Sequence, residues 1–82
     1  MQYLFMCRSL TSAQKAAAIL GRSGITAYVV KAPKHLSTNG CGYAVSVYRR
    51  AVESMELLKN SNLLRGKVFV RDENGEYSEI SI

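Results

Sequence analysis

Apolar positions alternate with polar ones, or recur at helical spacing, in seven short stretches, and these predict the elements of the chain. Tyr3 to Cys7 is an unbroken apolar run ending at Arg8 and Ser9, the signature of a buried strand. Thr11, Ser12, Ala13 and Gln14 follow with capping-box chemistry, a hydroxyl residue and three positions on a side chain able to reach back to its amide. Ala13, Ala16, Ala17 and Leu20 then fall on one face of a helix, and Gly21 stands where that helix is expected to stop. So much alanine on the inward face implies close packing against a sheet.

Ile25 to Lys31 is β-branched and aromatic and reads as a second strand, ended by Pro33. From Ala32 to Gly40 the composition turns to Pro, Ser, Thr, Asn and Gly, loop chemistry with too little apolar mass to pack on its own. Tyr43 to Tyr48 is a third strand. Arg49 to Asn60 carries Val52, Met55, Leu57 and Leu58 at helical intervals, closed by Asn60, Ser61 and Asn62. Lys67 to Glu73 and Glu76 to Ile80 flank Asn74-Gly75, the dipeptide of a two-residue hairpin turn in which both central residues take positive φ. The order β-α-β-β-α-β with one added strand is a ferredoxin-like α+β sandwich, with two helices on one face of an antiparallel sheet. No repeat or linker divides it, so residues 1 to 82 are expected to be one domain.

Charge is distributed unevenly. Residues 1 to 50 hold Arg8, Lys15, Arg22, Lys31, Lys34, Arg49 and Arg50 and neither Asp nor Glu, whereas all six acidic residues lie in the last 32 positions. The basic half favours an anionic ligand, a thiolate or an acidic partner surface, or is simply a solvated basic face. The longest uninterrupted apolar runs, Tyr3 to Cys7 and Ala16 to Leu20, fall short of the roughly 20 residues that span a bilayer. Nor does a basic start lead into an apolar signal segment, so a cytoplasmic protein without a membrane anchor is expected.

Two cysteines close at most one bridge, which is not the framework of a small secreted domain. In the expected topology the first and third strands are central neighbours and antiparallel, so Cys7, closing one, and Cys41, opening the other, come to the same sheet edge. That edge also receives the loop from Ala32 to Gly40 and the start of the first helix, which gathers Arg8, Lys31, Lys34 and His35 around the thiols. A cysteine below a helix N-terminus and beside cations has its thiolate favoured, and Cys41 would be such a thiol. Gly40 and Gly42 leave the backbone bare on both sides of it, an arrangement suited to the approach of a partner. Cys7, inside an apolar strand, also reads as a small hydrophobe, and His35 as an exposed loop residue. Cys7, Cys41 and His35 lack paired ligand spacing, so neither a metal nor another cofactor is expected.

The segment Pro33-Lys34-His35-Leu36-Ser37, followed after Thr38-Asn39-Gly40 by Cys41-Gly42-Tyr43-Ala44-Val45, resembles the small bacterial family of selenium/sulfur carrier protein-like domains. Tyr3-Leu4-Phe5 with Ser9 before the first helix, and Gly24-Ile25 before the second strand, agree with it. The resemblance spans most of residues 2 to 70, with its most specific part from Pro33 to Gly42. It implies that Cys41 takes up sulfur or selenium as a persulfide or selenopersulfide, from a cysteine-desulfurase-like donor, and passes it on. Ser9, Lys34, His35, Ser37, Gly40 and Gly42 fall within its motifs. Cys7 stands where the family pattern leads one to expect an apolar residue, and a second thiol there could resolve a persulfide into a disulfide. Sulfur exchange needs an accessible thiolate and little else, so a carrier without independent turnover is expected.

A function of another class is an RNA-recognition module, because Cys41-Gly42-Tyr43-Ala44-Val45-Ser46-Val47-Tyr48 partly echoes the RNP1 signature. Against nucleic acid, Cys41 sits where a basic residue belongs, Val45 replaces a stacking aromatic, and strand parity turns Tyr43 toward the helices. A third possibility is a regulatory domain that dimerises through an apolar sheet face bearing Leu4, Met6, Tyr28 and Val30.

Overall fold

The computed structural model describes residues 1–36, 42–63 and 67–80. The elements run β1 (Gln2–Cys7), α1 (Leu10–Arg22), β2 (Ala27–Lys31), β3 (Tyr43–Val47), α2 (Ala51–Asn60), β4 (Val68–Arg71) and β5 (Tyr77–Ile80). The sheet order is β2-β3-β1-β4-β5, every pairing is antiparallel, and β5 extends a ferredoxin-like core of four strands. Among the described residues no helix is long and apolar enough to cross a membrane.

Strand parity sorts the residues onto two faces. Phe5, Cys7, Val45, Val47 and Val68 meet Ala13, Ala16 and Leu20 of α1 and Leu58 of α2 in the main core. The alanines let α1 lie close on the sheet, as their spacing predicts. In α2 the inward residues are Ser54 and Leu58, while Val52, expected inside, is 67% exposed. Ser54 is tolerated in the core because its hydroxyl donates to the Arg50 carbonyl at 2.9 Å.

The other face holds a second cluster, in which Leu4, Met6, Ala44 and Phe69 of the sheet meet Ala32 and Leu36. The start of the loop after β2 therefore packs against the sheet. A turn closed by Leu36 N–H donating to the Pro33 carbonyl at 3.0 Å folds back over the sheet and buries Leu36. Leu4 and Met6, expected on an open face, are each only 2% exposed, whereas Tyr28 remains 54% exposed.

Helix ends differ from the sequence expectation in an instructive way. The N-cap of α1 is Ser9, whose Oγ accepts from the Ser12 amide at 3.1 Å; Thr11 already lies inside the helix. Gly21 does not stop α1. The chain turns at Gly24, φ +81°, where Ile25 N–H donates to Leu20 O at 2.9 Å and Gly24 N–H to Gly21 O at 3.1 Å, while Leu20 and Ile25 share the core. This is the Schellman arrangement with its apolar contact. Helix α2 ends the same way, with Asn62 at φ +58°, Leu63 N–H donating to Leu58 O at 2.9 Å and Asn62 N–H to Lys59 O at 3.1 Å.

The hairpin also departs from expectation. Gly75 has positive φ and Asn74 does not; Gly75 N–H donates to Asp72 O, and Asp72 N–H to Glu76 O, each at 3.0 Å. That is the bonding of a three-residue loop with a glycine bulge. It is favoured by Asp72 Oδ1, which accepts from the amides of Asn74 and Glu76 at 2.9 and 3.0 Å.

Arg50 joins the two helices. It precedes α2 with left-handed backbone angles, φ 58° and ψ 41°. Its guanidinium donates bidentately to Glu53, at 3.1 and 2.6 Å, and Nη1 reaches the Gly24 and Ser23 carbonyls at 3.3 and 3.5 Å. One side chain thereby satisfies carbonyls at the end of α1 and holds the first turn of α2. Hydrogen bonding from Arg50, aided by its charge, holds the Glu53 carboxyl below its ordinary pKa, and Glu53 in turn raises that of Arg50.

Two outcomes are expected. Gly21→Ala should stabilise the protein by about 0.5–1 kcal/mol, because it is a helical glycine with open space at Cβ, whereas Gly24→Ala should cost about 1–2 kcal/mol in denaturant unfolding. A depressed carboxyl contributes stability above its unfolded pKa and loses it as pH falls through the folded value. The stability difference between wild type and Glu53→Gln should therefore be largest at neutral pH and shrink once acid protonates Glu53; a difference that grows in acid would contradict the clamp.

Candidate functional site

The end of the sheet where β1 stops is the expected thiol edge. Cys7 pairs in register with Tyr43, and Tyr43 with Lys31 on the other side, so the three strands finish together. Ala32 N–H donates to the Gly42 carbonyl at 3.1 Å, which draws the two described ends of the intervening loop together at that edge. Arg8 and Ser9 are exposed immediately beyond Cys7, and Lys31 is exposed on β2. These residues meet at one end of the sheet, as the topology predicts.

Cys7 is 4% exposed and faces the helices, with its Sγ donating to the Phe5 carbonyl at 3.5 Å. A pocket of about 310 Å³ opens beside it, lined by Met6, Cys7, Arg8, Ser12, Asn62 and Leu63. Its walls are the first turn of α1 and the end of α2, so the helix start predicted to lie near the thiols does border Cys7. Positive potential there comes from Arg8 and from the N-terminal end of α1, whose first turn contains no acidic residue. Among the described residues, no atom lies within 4 Å of the position a Cβ would take at Gly42.

The turn after β2 goes elsewhere. Lys34 and His35 are exposed, and the His35 ring meets Tyr77 edge-on with centroids 5.6 Å apart. Tyr77 packs on the second cluster, across the sheet from the helices. His35 therefore lies on the opposite face of the sheet from Cys7 and not around it, because the turn bends toward Leu4 and Met6 in order to bury Leu36. Ser37, Gly40 and Cys41 lie outside the described residues. Tyr43 is half-buried against the main core, on the helix side, as its strand parity predicts.

Sequence reasoning missed two features of this edge. Ser12 and Leu63 line the pocket, and only the placement of the two helices brings them together. A faint signal for Leu63 was present: an apolar residue directly after a left-handed Asn is the position that packs back on the helix it leaves.

Burial sets an expectation for Cys7. In Cys41→Ala the remaining thiol should alkylate with iodoacetamide at least about tenfold more slowly in the native protein than in urea. Equal rates would mean that the end of β1 opens readily.

No curated protein and no solved structure matches the chain. A family model does, over residues 2–70, and its description is "Putative Se/S carrier protein-like". With most of the chain inside that match, from β1 into β4, the protein belongs to the Se/S carrier protein-like family.

Proposed function

We propose that the protein carries sulfur or selenium on Cys41, as a persulfide or selenopersulfide, between a cysteine-desulfurase-like donor and an acceptor protein. The observation that carries this reading is the family match over residues 2–70, which includes Cys41 and the whole segment from Pro33 to Gly42. The chemistry asks little of the protein. A Cys41 thiolate attacks the outer sulfur of a donor persulfide; the donor's S–S bond breaks, the bond to Cys41 forms, and the donor cysteine leaves as thiolate. Nothing is oxidised or reduced overall, so no cofactor and no acid-base pair is required.

Three features support the reading. The sheet edge into which residue 42 leads carries Arg8 and Lys31, whose charge favours a thiolate over a thiol. No acidic residue occurs in the first 50 positions to oppose them. Among the described residues, none crowds Gly42, which suits the approach of a second protein's cysteine. Cys7 gives the carrier a second course. Its thiolate, attacking the inner sulfur of a Cys41 persulfide, would form a Cys7–Cys41 disulfide and release hydrosulfide, so the carried sulfur leaves reduced by the pair of electrons the two thiols lose. With Cys7 packed in the main core, that step needs the end of β1 to open, which makes transfer to an acceptor the faster fate.

Incubation with a desulfurase and cysteine, followed by intact-protein mass spectrometry, tests the proposal. Wild type and Cys7→Ala should each gain one sulfur that a reductant removes, and Cys41→Ala should gain none. Loading that persists in Cys41→Ala, or a Cys41 that never loads, would remove the basis for a carrier.

A further inference from the structure

A second pocket lies at the other end of β3 from the thiol edge. It measures about 440 Å³ and is lined by Gly24, Ile25, Thr26, Tyr28, Tyr48, Arg49 and Arg50. The five residue steps from Tyr43 to Tyr48 correspond to roughly 16 Å of strand, so the carrier chemistry proposed for Cys41 does not use this pocket.

Its composition is specific. Ile25, 2% exposed, supplies an apolar floor. Tyr28 and Tyr48 stand 54% and 56% exposed beside it, and large aromatic side chains left so open contribute nothing to the core. Arg50 is fully engaged, with two contacts to Glu53 and two to the carbonyls of Ser23 and Gly24. Arg49 has no such role. It is exposed and, among the described residues, makes neither a hydrogen bond nor an ion pair. Among the described residues, no acidic side chain lines the pocket.

Tyrosine faces attract planar rings, and an uncommitted guanidinium attracts an anion, bidentately where it is a phosphate. The volume is in the range of small-molecule sites, about 300–1,000 Å³, and too small for a folded partner to enter. We propose that this pocket binds a small anionic ligand bearing a planar aromatic ring, of the nucleoside monophosphate class, with the ring on Tyr28 and Tyr48 and the phosphate on Arg49. It stands independently of the sulfur-carrier reading, since neither cysteine takes part.

The full chain titrated with AMP, with adenosine and with inorganic phosphate, followed by amide and tyrosine-ring NMR shifts, tests this. AMP should saturate, moving the signals of Thr26, Tyr28, Tyr48 and Arg49, with adenosine and phosphate each at least about tenfold weaker. Tyr48→Ala and Arg49→Ala alter exposed side chains and should weaken AMP by about fivefold or more with amide spectra otherwise native. Absence of saturable AMP shifts in the millimolar range would overturn the proposal. So would phosphate binding as tightly as AMP, or a short oligoadenylate that binds far tighter than AMP and equally well to Tyr48→Ala, because the surface would then be reading a strand and not a single nucleotide.

Discussion

A strand buried on consecutive residues needs cover on both of its faces. In β1, Leu4, Phe5, Met6 and Cys7 are all 4% exposed or less, and alternation sends two of them to each side of the sheet. Two short helices suffice for the Phe5 and Cys7 side. With both helices spent there, the chain covers Leu4 and Met6 with what remains, the turn that carries Ala32 and Leu36. Leu36 is thus the apolar residue around which the turn after β2 is shaped. A domain of this size buries only about 60–65% of its potential surface, so it has little spare apolar mass for the task.

This constraint reaches the thiol edge. The segment from Pro33 to Gly42 is held at its described ends by two unlike contacts: the Leu36 side chain pressed on the sheet, and the Ala32–Gly42 backbone hydrogen bond at the rim. Between them run the residues that include Cys41. A carrier needs its reactive atom tethered near a fixed electrostatic environment and still presentable to two different proteins. For the carrier role proposed for Cys41, a position outside the strand is the suitable one, because a cysteine within β3 itself would share the burial of its neighbours Ala44 to Val47.

The sheet was legible because period-two alternation and β-branched composition are local properties, and strand order followed from known handedness and pairing rules. The discrepancies have tertiary causes. Ser9, Thr11 and Ser12 are all capable caps, and what selected Ser9 was the point at which β1 stopped. Gly21 and Gly24 are both permitted stops for α1; Ile25, able to pack on Leu20 only if the turn falls at Gly24, decided between them. Leu36 is a single apolar residue in a polar segment, without periodicity, so nothing local marked it as core. His35 illustrates the same limit: topology told to which end of the sheet the loop goes, but not to which face. Tyr28 and Tyr48 were visible as strand residues, while the pocket between them required the Arg50 clamp to set the start of α2 against the end of α1.

That clamp explains why adjacent arginines have different work. A left-handed residue before a helix is strained in any residue but glycine, and Arg50 holds that conformation because four hydrogen bonds, two of them to the Glu53 carboxylate, fix its side chain. Arg49, next in the chain, is exposed and has no hydrogen-bond or ion-pair partner among the described residues. A cation freed by the geometry of its neighbour, next to two exposed rings, is inexpensive for the fold to keep and is available for binding. The two ends of β3 therefore differ in kind: at one, β1, β2 and β3 finish together beside Arg8 and Lys31, and at the other Tyr28, Tyr48 and Arg49 line a cleft set by the Arg50 clamp.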